Sequence, residues 1–107
     1  VSELLEVDRL VDIQKVIAEN PLVLLEAGAA WCMPCQRFLP HFKRFAAKHP
    51  GVVCVKVDVD VDPAVVSEFK LQSVPQVMFF VNGQLDHTLP ATARTVQKLE
   101  QELLSHL

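Results

Sequence analysis

The 107-residue sequence has no basic excess, no long apolar run, no internal repeat and few cysteines. Ten Lys and Arg stand against 13 Asp and Glu, for a net charge of -3. A nucleic-acid or anionic-membrane footprint needs the opposite balance, so neither partner is expected. Uninterrupted apolar stretches fall far short of the ~20 residues that cross a bilayer, and no membrane span is expected. No secretory leader or Arg-rich presequence stands at the N-terminus, which points to the cytoplasm. The chain begins at Val1 rather than Met, which leaves a removed segment or a neighbouring domain open. Three cysteines are too few and too unevenly placed to staple a small fold.

What is present is half hydrophobic, which excludes disorder. A chain of this length buries roughly 65% of its unfolded surface, enough for one core, so residues 1–107 are expected to form a single monomeric domain. Apolar Val11, Ile13, Val16 and Ile17 predict a helix over 11–20, stopped by Asn20-Pro21. Residues 22–25 are continuously apolar, as in a strand covered on both faces. Phe38, Phe42, Phe45 and Ala46 predict a helix over 34–48 with its apolar stripe in the core and a kink at Pro40. The β-branched run 52–60 predicts a strand. Asp62-Pro63 reads as an N-cap and first helical residue, opening a helix to about 70. Residues 77–81 form a further strand, and Asn82-Gly83 predicts a tight hairpin to 84–89. Val96, Leu99, Leu103 and Leu107 predict a closing amphipathic helix, capped by Thr92 or Thr95. Strands alternating with helices, with one terminal hairpin, indicate an α/β sandwich with a mixed sheet.

The chemistry concentrates at Cys32-Met33-Pro34-Cys35. Cys32 follows an apolar strand and a loop over 27–31 and opens a helix, whose unpaired N–H groups and dipole favour a thiolate. The spacing brings the second sulfur within one helical turn. Cys32 is therefore expected to attack a substrate disulfide and Cys35 to resolve the mixed disulfide. Pro34 suits the first turn because the N–H it lacks would be unpaired there. A lone pair of this spacing is also half of a zinc site, but Cys54 and His41, His49, His87 and His106 offer no second paired spacing. Cys54 is expected to be an inert core residue, and the histidines to lie on the surface.

Trp31-Cys32-Met33-Pro34-Cys35 resembles the thioredoxin active-site motif, usually Trp-Cys-Gly-Pro-Cys. The similarity continues through Pro40, residues 56–60, Val74-Pro75 and Asn82-Gly83 in matching order and spacing. The resemblance implies a thioredoxin fold, with a five-stranded mixed sheet flanked by four helices. It implies an exposed nucleophile at Cys32, a buried resolving thiol at Cys35, and a cis-proline at Pro75 facing them. Val74 would offer backbone to an extended substrate, beside Trp31, Met33 and Pro34. Glu26 stands where the family usually has a buried Asp, and Lys56 where it has a partnering lysine. Glu26 is accordingly expected to accept the Cys35 proton with Lys56 tuning it; the bland alternative is a solvated residue at a strand end.

The implied activity is reduction of protein disulfides without a cofactor, with recycling by a reductase such as thioredoxin reductase. A docking module with minor redox turnover, or an oxidase or isomerase of high potential, are the competing readings. Several departures bear on specificity. Ala27-Gly28 replaces the usual Phe-Trp, Met33 a glycine and Gln76 a threonine, while Leu89-Pro90-Ala91-Thr92 replaces a glycine-containing loop. Met33 either widens contact with apolar partners or fills the space left at Gly28.

Overall fold

The computed structural model describes residues 3–107. Its elements are β1 (Leu5–Glu6), α1 (Leu10–Glu19), β2 (Leu22–Gly28), α2 (Met33–Lys48), β3 (Val53–Asp58), α3 (Pro63–Glu68), β4 (Gln76–Val81), β5 (Gln84–Thr88) and α4 (Val96–Glu102), followed by a 3₁₀ turn at Leu104–His106. The strands form one sheet in the order β1-β3-β2-β4-β5. β1, β3 and β2 run parallel, while β4 and β5 add antiparallel. The implied five-stranded mixed sheet with four α-helices is the fold observed.

Strand alternation divides the core into two layers. Leu24, Cys54, Val77 and Phe79 point to one face, where Phe38, Phe42 and Phe45 of α2, Leu99 of α4 and Leu103 just after it cover them. Val23, Leu25, Ala27, Val55, Val57, Met78 and Phe80 point to the other, against Ile13 and Ile17 of α1 and Val65 of α3. Both faces of β2 and β3 are covered, which is why their sequences read as nearly continuous apolar runs.

Local signals set most boundaries. Asp62 accepts a hydrogen bond from the Ala64 N–H at 3.1 Å, capping α3 ahead of Pro63. Asn82 and Gly83 both take positive φ, 50° and 83°, as a two-residue hairpin turn demands. Thr95, not Thr92, caps α4, its Oγ1 accepting from the Lys98 N–H at 3.2 Å. α2 continues through Pro40.

Other expectations need correction. β2 reaches Gly28, because its pairing with β3 and β4 holds residues 26–28 in the sheet, and the loop before Cys32 is only 29–31. β3 ends at Asp58, where the chain turns and the Asp60 N–H donates to Asp58 Oδ1 at 2.9 Å. In α1, Val11 is 70% exposed and only Ile13 and Ile17 are fully buried. The last helix stops at Glu102 and tightens into the 3₁₀ turn. That change of period takes Leu107 off the buried face shared by Leu99 and Leu103. His49 is half-buried rather than a free surface group. It joins Lys48 on the Glu100 carboxylate, tying the end of α2 to α4.

Candidate active site

β2 and α2 build the site. Glu26 and Gly28 stand at the C-terminal end of the central strand β2, residues 29–31 turn the chain, and Cys32 becomes the N-cap of α2. Its Sγ accepts a hydrogen bond from the Cys35 N–H at 3.2 Å, the place a Ser or Asp oxygen fills at other helix starts. Cys32 and Cys35 are joined by a disulfide, with their Cα atoms 5.3 Å apart. The Gln36 N–H completes the first turn on the Cys32 carbonyl at 3.1 Å.

Cys32 is only 5% exposed, against 3% for Cys35, so it is not the open group the resemblance implied. In the disulfide state the two sulfurs cover each other, and Ala29, Val59 and Val74 pack around them. The Val74-Pro75 peptide bond is cis, and Pro75 is buried. Val74 thus reaches the dithiol from the loop before β4.

The rim is more open. Trp31 is 70% exposed, and its indole N–H donates to Asp60 Oδ2 at 2.9 Å. Met33 is exposed as well, so it does not fill the space at Gly28 and instead faces solvent beside the disulfide. Pro34 is half-buried. Two shallow clefts of about 210 Å³ each flank the dithiol. One lies along Trp31, Val59 and Val74, and the other along Pro34, His41, Arg37 and Arg94. A larger cavity, about 560 Å³, lies between α1 and β5 along Ile17, Phe80 and Leu85 and contains neither cysteine. Among the described residues, no three His, Cys, Asp or Glu side chains gather as a metal would require.

Glu26 lies inside the sheet, between Lys56 of β3 and Val77 of β4, and is 1% exposed. The solvated alternative therefore fails. Neither carboxylate oxygen has a hydrogen-bond partner among the protein groups. Burial pushes its pKa up to about 7, while the Lys56 and Arg94 charges hold it lower than burial alone would set it. The carboxylate and Cys35 Sγ both border the space over the Gly28 Cα, the sulfur 3.2 Å from where a Cβ would stand.

Eight of the nine residues singled out in the sequence fall in two tiers, and Lys56 stands behind them. Cys32, Cys35, Glu26 and Val74 gather at the sulfurs, with Pro75 following Val74 through the cis bond, while Trp31, Met33 and Pro34 form the rim. Lys56 acts on Glu26 by charge rather than by a direct bond. Sequence reasoning missed Arg94 and Asp60. Arg94 reaches Glu26's field only through the long-range return of the chain, and no local pattern marks it. Asp60 carried a signal, the Asp58-Val59-Asp60 turn spacing, which the β-branched run around it masked.

Comparison with known proteins agrees with this arrangement. A family model described as Thioredoxin matches residues 9–105. Thioredoxin-1 of Caenorhabditis elegans is 30% identical over 98 residues, covering 90% of this chain and 84% of that protein. Thioredoxin 1 of Chlorobaculum tepidum is 37% identical over 83 residues, covering 77% and 81%. A solved structure of Plasmodium falciparum thioredoxin superposes with a TM-score of 0.86 at 26% identity, over 96% of this chain and 99% of that one.

Proposed function

The chain belongs to the thioredoxin family and carries that family's disulfide-reducing cysteine pair as Cys32 and Cys35, and on that premise we propose how the reduction proceeds and which groups carry it. The Cys32 thiolate attacks one sulfur of a protein disulfide, forming a mixed disulfide and releasing the other sulfur as a thiolate. Cys35 then gives its proton to the Glu26 carboxylate. The resulting thiolate bonds to Cys32 Sγ, and the second substrate sulfur leaves with the electron pair of the broken bond. Two electrons pass to the substrate, and the protein is left as the Cys32–Cys35 disulfide.

The polarity of the pair follows from the helix. The Cys35 N–H on Cys32 Sγ and the open start of α2 stabilise negative charge on the first sulfur. The proton step follows from the observation that carries this reading: a carboxyl buried beside Cys35 with its pKa near 7. A base with a pKa near the working pH accepts a proton readily and returns it readily. An extended client segment would lie beside Val74, with Trp31 and Met33 as apolar contacts. Reduction by a thioredoxin reductase in the cytoplasm would restore the dithiol.

A trap and a potential test this reading. With Cys35→Ser, clients are expected to accumulate as mixed disulfides on Cys32. The Cys32–Cys35 couple of the unaltered protein is expected to be more reducing than roughly -220 mV. A potential between about -120 and -180 mV would instead assign an oxidant or isomerase.

A further inference from the structure

Gly28 ends β2 at a point where two groups converge. A Cβ there would press into the Glu26 carboxylate and would stand 3.2 Å from Cys35 Sγ. The backbone gives no reason for glycine at this position. Gly28 does not take a positive φ, it pairs with Asp58 of β3, and its carbonyl accepts from the Val59 N–H at 3.0 Å. This is ordinary strand geometry that any residue adopts. Gly83 differs, since its φ of 83° requires glycine while nothing crowds its Cα. At Gly28 it is space, and not conformation, that a side chain would take away.

Glu26 can yield to an added Cβ only by moving its carboxyl end. Its backbone is held between Lys56 and Val77, the face it points to is packed by α2 and α4, and no hydrogen bond from the described residues fixes its oxygens. The charged and titratable groups around it are Lys56 on β3, Arg94 before α4 and Cys35 on α2. Asp58, beside Gly28, accepts from the Asp60 N–H and is engaged in the turn.

We infer that Gly28 is a positioning residue for the reduction: its missing side chain keeps open the gap across which Glu26 and Cys35 exchange a proton, so acid length and residue-28 size are matched. The inference rests on the acid–base role given to Glu26 above. A side chain at 28 turns the carboxyl away from the sulfur. An acid one methylene shorter draws back from an added Cβ and makes room for it.

The test compares the unaltered protein, Gly28→Ala, Glu26→Asp/Gly28→Ala and Glu26→Gln. Two readouts are followed: the pH profile of mixed-disulfide resolution, and the titration of the residue-26 carboxyl by carbon NMR in the oxidised protein. Gly28→Ala is expected to slow resolution about tenfold near neutral pH and to move the Glu26 titration by about half a pH unit or more. The double variant is expected to recover most of the rate and its neutral inflection. Gly28→Ala with an unaltered profile and titration would overturn the inference, as would a loss that the double variant does not relieve. If Glu26→Gln leaves the profile unchanged, the acid–base role falls and takes the inference with it. If Glu26→Gln changes the profile while Gly28→Ala leaves both rate and titration unmoved, the positioning claim alone is overturned.

Discussion

Beside the two ends of β2, two titratable groups are buried under the same core face, Cys54 of β3 at one and Glu26 of β2 at the other, with opposite results. At the Leu22–Leu25 end, Leu24 lies between Cys54 and Phe79, with phenylalanine rings of α2 above. Nothing charged approaches, and burial alone pushes the Cys54 thiol up to about 12. At the Glu26–Gly28 end, an equally buried carboxyl starts from an ordinary value of 4.5, and burial raises it to about 7, with the Lys56 and Arg94 charges keeping it from rising further. Desolvation lifts both groups from their ordinary values, and it takes the thiol away from neutral pH while bringing the carboxyl to it. The difference that matters is which acid is buried at each end.

The largest effect is expected at the dry end. Phe42 is fully buried and stacks on Phe38 with ring centroids 5.2 Å apart. Phe42→Ala is expected to remove about 3–5 kcal/mol of stability, read from urea midpoints. A loss under about 1 kcal/mol would mean that this end is not close-packed and that the contrast is false.

A somewhat smaller effect, dependent on pH, is expected at the other end. Glu26 has a folded pKa of about 7 against an ordinary value of 4.5. Between those values the folded protein holds more protons than the unfolded chain. The stability Glu26 contributes is therefore complete below its unfolded pKa and lost as pH rises through about 7, a change of about 3 kcal/mol. Glu26→Gln removes this dependence. Its stability relative to the unaltered protein is expected to rise by about that amount between about pH 5 and pH 8. A difference independent of pH would show that the carboxyl is not desolvated.

Legibility in the sequence followed the range of the interactions. Elements set by neighbours in the chain were readable: the Asp62 cap, the Asn82-Gly83 turn, and the start of α2 at Cys32-Met33-Pro34. β1 was not, because two exposed residues carry no periodic pattern and exist as a strand only by pairing with Val55 and Lys56. The extension of β2 over Glu26 was hidden for a similar reason. An acid after an apolar run marks a strand end unless distant residues cover it, and here β3 and β4 do. At the site, the dithiol, the cis-proline and the acid could all be read in sequence. The meaning of Gly28 could not, since a missing side chain has no signal until its neighbours are placed around it.

The central claim is that Glu26 takes the proton from Cys35, and the rate of mixed-disulfide resolution against pH tests it most directly. A client disulfide is loaded on Cys32 by rapid mixing and its release by Cys35 is followed. The unaltered protein is expected to show an inflection near pH 7, where Glu26 titrates. Glu26→Gln is expected to lose that inflection and to fall by about a hundredfold at neutral pH, the low end of what a positioned base contributes. An unchanged rate and profile in Glu26→Gln would contradict the account.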